Sequence, residues 1–225
     1  MTFSLSARCA RTGAFGVAIA SSSLAVGARC AYARAGVGAV ASQNVTDPAF
    51  GVLLLDLMAH GLSAQASIEA AVRERPFIEY RQLTAVDGEG RAFAFSGGRM
   101  LGVHGASLGD QCVAAGNLLA NAEVPAAMTE AFSTRSLEAL GDRLIGALHA
   151  GLTAGGEAGA VHSAALLVVT NAAFPYASLR VDWHEDNPIG ALAALWRAYA
   201  PQADAYLLRA RQPDAAPIYN VPGER

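Results

Sequence analysis

Thr2 is the residue with the clearest capacity for chemistry in this sequence, because it carries a hydroxyl group and directly follows Met1. Methionine before a small residue is normally trimmed, so we expect Thr2 to become the first residue. An N-terminal threonine holds a nucleophile and a base together: its hydroxyl attacks, and its α-amine, with a pKa of about 8, accepts the proton. The chain contains no lysine that could serve as the base. The simpler alternative is that Thr2 is a common second residue without a role.

Polar side chains near the ends of the predicted strands are the candidates for binding an oxyanion or a substrate. They are Ser21, Ser23, Arg34, Gln43, Asn44, Arg81 and Asn117. The amides among them can donate hydrogen bonds to an oxyanion. Arg34 can hold a substrate carboxylate in a bidentate fork. Solvated strand ends, turn chemistry and surface ion pairs are the alternative interpretations of the same residues.

Cysteine and histidine chemistry is weakly supported. Cys9, Cys30 and Cys112 form no C-x-x-C pair, which indicates buried free thiols in a reducing compartment. An enzyme using Cys30 or Cys112 is a less favoured alternative. The five histidines lack the H-E-x-x-H spacing of a zinc site, and we expect neither a metal nor another cofactor.

The elements that must position Thr2 begin with a hairpin. Residues 2–8 alternate between polar and apolar side chains, as in a strand with one buried face, and residues 15–20 are its predicted partner. A third strand is predicted over residues 36–42. The further predicted elements are helices 47–61 and 64–75, strands 81–86, 91–96, 100–104 and 111–115, helices 124–132 and 137–150, strands 163–170 and 177–184, and helix 188–200. Caps are predicted at Ser63, Ser136 and Asn187, a turn at Asp87, and a flexible glycine-rich loop over residues 153–160.

The order of these elements predicts the fold class. Strands in groups and helices in pairs favour an α+β protein in which sheets stack and helices cover them, rather than alternating βαβ units. The length of 225 residues suits one core. We therefore expect a single domain over residues 1–209 and a C-terminal tail over residues 210–225.

Composition limits the partners. A net charge of -3 gives no basic surface for nucleic acid. Residues 14–28 are largely apolar but are interrupted by three serines, and no apolar run approaches the roughly 20 residues of a membrane span. We expect a cytoplasmic protein with a small-molecule substrate. With 53% hydrophobic and 16% charged residues, it also has more apolar surface than one core can bury, which predicts a homodimer or higher homo-oligomer.

Several short motifs resemble the bacterial domain-of-unknown-function family 1028. They are Thr2-Phe3-Ser4, Ala25-Val26-Gly27, the glycine-rich stretch 34–43, Arg81-Gln82, Gly116-Asn117 and the stretches 163–169 and 180–182. The resemblance implies the four-layer αββα sandwich of the N-terminal-nucleophile hydrolases, with Thr2 as nucleophile. Ser42 replaces a frequent threonine, and Ser23 stands where many members have lysine. The missing lysine leaves the α-amine as the base.

These observations together predict a hydrolase that cleaves an amide or related C–N bond of a small molecule through an acyl-enzyme on Thr2. The alternative is a catalytically silent protein of the same fold that binds a metabolite or serves as an oligomeric scaffold.

Overall fold

Residues 1–219, which the computed structural model describes, form a mixed α+β arrangement with two antiparallel sheets, as predicted. The strands are β1 (Thr2–Arg8), β2 (Phe15–Ser21), β3 (Ala31–Arg34), β4 (Gly38–Asn44), β5 (Arg81–Asp87), β6 (Ala92–Ser96), β7 (Gly105–Gly109), β8 (Cys112–Asn117), β9 (Ser163–Val169) and β10 (Ala177–Val181). The helices are α1 (Gly27–Cys30), α2 (Ala49–Ala59), α3 (Ala64–Val72), α4 (Val124–Ser133), α5 (Leu140–Thr153) and α6 (Pro188–Arg211).

The larger sheet has six strands in the order β10-β9-β2-β1-β8-β7, so β1 lies in its interior. The alternation of β1 sorts its side chains between two environments. Phe3 and Leu5 are fully buried in an apolar cluster with side chains of α4 and α5. The hydroxyls of Ser4 and Ser6 face the other sheet, where they bond Gln43 and Thr84. The strand that begins at Thr2 is therefore held on both faces.

The smaller sheet has four strands in the order β3-β4-β5-β6, and it contacts α2 and α3. Its apolar face packs Val40 and Leu83 against Leu54 and Ile68 of these helices. The predicted cap of α3 is confirmed, since the Ser63 hydroxyl accepts a hydrogen bond from the Ala66 backbone at 3.1 Å. Burial of this apolar face holds the two helices on the sheet.

The carboxylate of Asp87 joins the β5–β6 turn to the start of α3. Its oxygens accept hydrogen bonds from the Ala64 backbone at 2.9 Å, from the Glu89 backbone at 3.0 Å and from Arg91 Nε at 2.8 Å. Burial alone would raise the pKa of Asp87, but these hydrogen bonds outweigh it and lower the pKa. The turn predicted at this position is confirmed, with the added role of anchoring a helix.

The two sheets face each other: β1 contacts β4 and β5, β2 contacts β3, and β8 contacts β5. The antiparallel register brings one set of strand ends together. In the larger sheet Thr2 lies opposite Asn117, and Ser21 lies opposite Ser163. In the smaller sheet Asn44 is paired with Arg81. These ends form one edge of the stacked sheets.

Several predicted boundaries are wrong. The third predicted strand is displaced to Gly38–Asn44, and the short helix α1 and edge strand β3 before it were not predicted. The strand predicted over residues 100–104 lies instead at Gly105–Gly109, where its pairing with β8 fixes the register. Ser136 caps no helix, because α5 begins only at Leu140.

Helix α6 is longer than predicted. Its cap at Asn187 is confirmed, with a hydrogen bond from the Gly190 backbone at 2.8 Å, but the helix continues through Pro201 to Arg211. Contacts beyond the proline stabilise the continuation, including the bond from the Tyr176 hydroxyl to Asp204 at 2.9 Å. Of the predicted tail, residues 220–225 lie outside the described residues. Within residues 1–219, no helix is long and apolar enough to cross a membrane.

Candidate functional site

Thr2 lies at the shared edge of the two sheets, with only 5% of its surface exposed. Its neighbours on either side are β8, where Asn117 is its direct partner, and β2, which ends at Ser21. The Thr2 hydroxyl lies 3.3 Å from the Ser21 hydroxyl and donates a hydrogen bond to the carbonyl of Met1. The strand pairing therefore fixes the threonine oxygen beside a second hydroxyl and beside the peptide bond that precedes it.

Ser21 and Ser23 form a hydroxyl cluster next to Thr2. Their oxygens lie 2.7 Å apart, and the backbone N–H of Ser23 donates to Ser21 Oγ at 3.0 Å. Ser21 Oγ also donates to the Met1 carbonyl. Ser163 supports the cluster from β9, donating to the Ser23 carbonyl at 2.6 Å. The structure thus brings both predicted serines to Thr2.

A buried amide network lies beneath this cluster, between the two sheets. Ser4 Oγ donates to Gln43 Oε1 at 2.7 Å, and Gln43 Nε2 donates to Gln82 Oε1 at 2.7 Å. Gln82 Oε1 also accepts from Asn117 Nδ2 at 3.2 Å. Gln43 and Asn117, both predicted site residues, therefore hold Gln82 between them. Within residues 1–219, the buried Oδ1 of Asn117 has no hydrogen-bond partner.

Asn44 and Arg81 tie the smaller sheet to the loops around the site. Asn44 has a left-handed backbone, with φ of 73°, and its Nδ2 donates to the Tyr80 carbonyl at 2.6 Å. Arg81 donates from Nη1 to the carbonyl of Val45. Both lie at the same edge as Thr2, although their side chains are engaged with backbone carbonyls. These bonds fix the end of the smaller sheet to the backbone at residues 45 and 80.

Arg34 does not join the other predicted site residues. It is paired with Gly38, at the opposite end of β4 from Asn44. Its guanidinium instead forms an exposed ion pair with Asp56 of α2 at 2.8 Å. The alternative interpretation of Arg34, a surface ion pair, is the one that the structure shows, because the β3–β4 hairpin carries this residue away from Thr2.

Glu157 is a buried carboxyl group that the sequence analysis did not identify as a site residue. It is 5% exposed, and both of its oxygens lie 3.0 Å from the backbone nitrogen of Ser22, which donates to them. Burial raises the pKa of Glu157 to about 7, although the positive charge of the N-terminal amine and the hydrogen bond from Ser22 oppose the shift. A carboxyl group that titrates near neutral pH therefore lies beside the serine cluster.

Comparison with known proteins assigns the chain to a family. The family of unknown function DUF1028 matches residues 2–192. The chain belongs to the DUF1028 family. Protein SPO2555 from Silicibacter pomeroyi, whose crystal structure carries the same family assignment, is 35% identical, and the match covers 88% of this chain and 86% of that chain with a TM-score of 0.82. The family resemblance drawn from the sequence motifs is confirmed.

Two structures of Anbu (ancestral beta-subunit) proteins are more distant from this DUF1028 chain. The one from Yersinia bercovieri is 9% identical, with a TM-score of 0.39 and coverage of 90% of this chain and 96% of that chain. A Gly-1 mutant from Hyphomicrobium sp. strain MC1 is 12% identical, with a TM-score of 0.33 and coverage of 91% and 97%. No curated protein matches the sequence. The family assignment therefore rests on the DUF1028 matches.

Two of the three thiols of this DUF1028 chain, those of Cys30 and Cys112, are poorly suited to nucleophilic chemistry. All three are free and buried. Burial raises the pKa of Cys112 to about 11 and also raises the pKa of Cys30, which keeps both as unreactive thiols. Among residues 1–219, no group of three or more His, Cys, Asp or Glu side chains could hold a metal ion. The raised pKa values weaken the alternative of an enzyme that uses Cys30 or Cys112.

Some supporting residues of the DUF1028 chain were missed because their partners are distant in sequence. Glu157 stands alone among glycine and alanine in a loop predicted to be flexible. Gln82 follows Arg81 in a family motif, but only the stacking of the sheets shows that its amide contacts Gln43 and Asn117. The signal for Ser4 was present, since the alternation of β1 places it on the same face as Thr2.

Proposed function

We propose that this protein is an N-terminal-nucleophile hydrolase that cleaves an amide or related C–N bond of a small molecule through Thr2. The proposal requires cleavage of the Met1–Thr2 peptide bond, which converts the Thr2 nitrogen into a free α-amine. The observation that carries it is the placement of the Thr2 hydroxyl at the start of an interior strand, 3.3 Å from Ser21 Oγ and beside the Met1 carbonyl.

The chemistry follows from the two groups on Thr2. The oxygen of the hydroxyl attacks the substrate carbonyl carbon while the α-amine, directly or through a water, takes its proton. The amine then returns a proton to the leaving nitrogen as the C–N bond breaks, which leaves an ester on Thr2. Water attacks this ester with the amine as base, the ester C–O bond breaks as the amine returns the proton to the Thr2 oxygen, and the acid is released. Atoms and protons balance over the cycle without a cofactor.

The neighbouring hydroxyls complete the proposed machinery. Ser21 Oγ donates to the Met1 carbonyl in the uncleaved chain. Loss of Met1 removes this acceptor and frees the Ser21 hydroxyl to contact the new amine or the substrate. Ser23 lies 2.7 Å beyond it and can relay a hydrogen bond. Asn44, Arg81 and Asn117 lie at the same edge and are the candidates for the substrate rim.

The layer order supports the same class of fold. Helices α2 and α3 contact the four-stranded sheet, the two sheets contact each other, and α4, α5 and α6 contact the six-stranded sheet. We infer from these contacts the four-layer αββα sandwich of the N-terminal-nucleophile hydrolases. Thr2 begins β1, an interior strand of the six-stranded sheet.

A catalytically silent protein that binds a metabolite is the second candidate, and a cavity favours it. The cavity measures about 1050 Å³ and lies at the end of β1 opposite to Thr2. Cys9, Thr12, Trp196 and Asp204 are among its lining residues. This volume is close to the upper end of the range for small-molecule sites, about 1,000 Å³. A ligand bound there would not touch Thr2, so the two candidates are separable by experiment.

The test is turnover of a fluorogenic amide library by protein whose first residue is Thr2. Thr2→Ala should reduce the rate of hydrolysis by roughly three orders of magnitude or more, because it removes the nucleophile. Thr2→Ser should keep partial activity, since only a methyl group that restrains χ1 is lost. The rate should rise with pH as the amine deprotonates, with a midpoint at the pKa of the amine in the folded protein.

The matched control is Thr134→Ala, which removes an exposed threonine at the end of α4 and should leave the rate unchanged. Extra residues before Thr2 should be as damaging as Thr2→Ala, because they convert the amine into an amide. Wild-type turnover by Thr2→Ala would refute Thr2 as the nucleophile and favour the silent protein or another nucleophile.

A further inference from the structure

Glu157 is a buried ionisable residue beside the serine cluster that the proposed reaction does not use. It lies in the loop between α5 and β9, and its backbone bridges Leu119. Ala158 N donates to the Leu118 carbonyl at 2.9 Å, and Gly156 O accepts from Ala120 N at 3.0 Å. The loop predicted to be flexible is therefore fixed against the segment after β8, and it holds this side chain in place.

Among residues 1–219, no ion pair with Glu157 is formed, and the hydrogen bonds to its carboxyl group come from the neutral backbone N–H and side chain of Ser22. A buried carboxylate is unfavourable unless an opposite charge or several donors compensate it. Burial alone therefore favours the neutral acid, as the raised pKa of Glu157 shows. A cation placed near Glu157 would stabilise its ionised form.

The N-terminus lies next to this carboxyl group. The Met1 side chain packs against the same loop, where its Cε lies 3.1 Å from the position that a Cβ on Gly159 would occupy. Ser22, the donor to Glu157, directly follows Ser21, whose hydroxyl bonds the Met1 carbonyl. The positive charge of the N-terminal amine also acts on the Glu157 carboxyl group.

We propose that Glu157 is a positioning residue for the catalytic amine: after Met1 is removed, its carboxylate pairs electrostatically with the α-amine of Thr2 and strengthens that amine's hold on its proton. The inference rests on the proposed function, in which this amine is the base. An opposite charge within a few ångströms raises the pKa of an amine. Glu157 thereby sets the pH at which the base becomes available.

Two further titratable groups face this region. His162, directly before β9, acts on Glu157 through its charge. Asp186, before α6, lines a cavity of about 220 Å³ together with Glu157. A protonated His162 would compete with the amine for Glu157, whereas Asp186 would add to the negative potential. Any test of Glu157 must therefore vary this residue alone and follow the amine itself.

The absence of lysine makes the amine directly observable. Since the chain contains no lysine, an amine-specific reagent such as formaldehyde with cyanoborohydride can methylate only the N-terminal amine. The protein is released from a fusion whose protease leaves Thr2 as the first residue, which intact mass confirms. The rate of methylation is then measured by mass spectrometry from pH 5 to pH 9. This readout needs no substrate.

Glu157→Gln should shift the midpoint of methylation to lower pH by about one unit, with roughly tenfold faster methylation on the acid side of the transition. Glu130→Gln, an exposed glutamate on α4, is the matched control and should leave the midpoint unchanged. Glu157→Asp keeps the charge at a greater distance and should give an intermediate midpoint. Circular dichroism confirms that each variant is folded.

Equal midpoints for wild type, Glu157→Gln and Glu157→Asp would overturn the inference. If Glu157→Gln does not fold, the position of the Glu157→Asp midpoint relative to wild type decides alone. The failure of the proposed function has a different signature, namely undiminished turnover by Thr2→Ala. The two outcomes are therefore distinguishable.

Discussion

Gln82→Leu should destabilise the protein because it removes the amide that joins the two sheets beneath Thr2. Gln82 is fully buried, and its Oε1 accepts hydrogen bonds from Gln43 Nε2 at 2.7 Å and Asn117 Nδ2 at 3.2 Å. Leucine has a similar volume but cannot accept these bonds. Each buried donor left without a partner costs about 1–3 kcal/mol. Two such donors predict a loss of about 2–6 kcal/mol in the free energy of unfolding.

The assay is urea unfolding monitored by far-UV circular dichroism. The free energies of unfolding are compared between variants that share the same m-value, the slope of free energy against urea concentration. Gln65→Leu is the control, since Gln65 is exposed on α3 and its side chain bonds Glu69. It should change stability by less than about 0.5 kcal/mol. The double variant Asn117→Leu/Gln82→Leu should lose less free energy of unfolding than the two single variants added together. The reason is that the double variant no longer contains the Asn117 amide that Gln82→Leu alone leaves without an acceptor. A Gln82→Leu variant as stable as Gln65→Leu would refute the network.

Three further outcomes are expected. The intact mass of protein from the native host should be that of the chain without Met1, and quantitative retention of Met1 would contradict the mechanism. Light scattering at micromolar concentration should report a dimer or larger oligomer, whereas a monomer would contradict the inference from composition. Asp87→Asn should destabilise the protein by about 2 kcal/mol at pH 7, because the native carboxylate accepts hydrogen bonds from Ala64 and Arg91. The pKa of Asp87 is lower in the folded protein than the unfolded value of 3.8. The difference in free energy of unfolding between wild type and Asp87→Asn, measured by urea unfolding, should therefore shrink as pH falls below 3.8. A difference that stays constant with pH would count against the role of the Asp87 charge.

The fold was predicted from local patterns wherever one element carries its own signal. The alternation in residues 2–8 identified β1 and the face of Thr2, and capping residues identified the starts of α3 and α6. The edge strand β3 has only four residues, all partly buried, so it carries no clear alternation. The continuation of α6 past Pro201 depends on contacts with Tyr176 that no local pattern shows.

The site was predictable where strand ends were predictable. Thr2, Ser21 and Asn117 meet because antiparallel pairing places them at one edge. The position of Arg34 was wrongly predicted because Arg34 lies in β3, which was not predicted. The turn between β3 and β4 places it beside Gly38, at the far end of β4 from Asn44. Glu157 was missed because its importance comes from burial and from proximity to the N-terminus, and both are set by contacts across more than 100 residues.

The identity of the nucleophile is tested most directly by locating a covalent adduct. A β-lactone probe acylates an activated hydroxyl and leaves a stable mass increment on the acceptor. Protein with Thr2 confirmed as its first residue is treated with the probe, and tandem mass spectrometry of its peptides locates the increment. We expect a single acyl increment on Thr2 of the wild-type protein and no labelling of Thr2→Ala. Equal labelling of Thr2→Ala, or an adduct on Ser21 or Cys112 in place of Thr2, would contradict it.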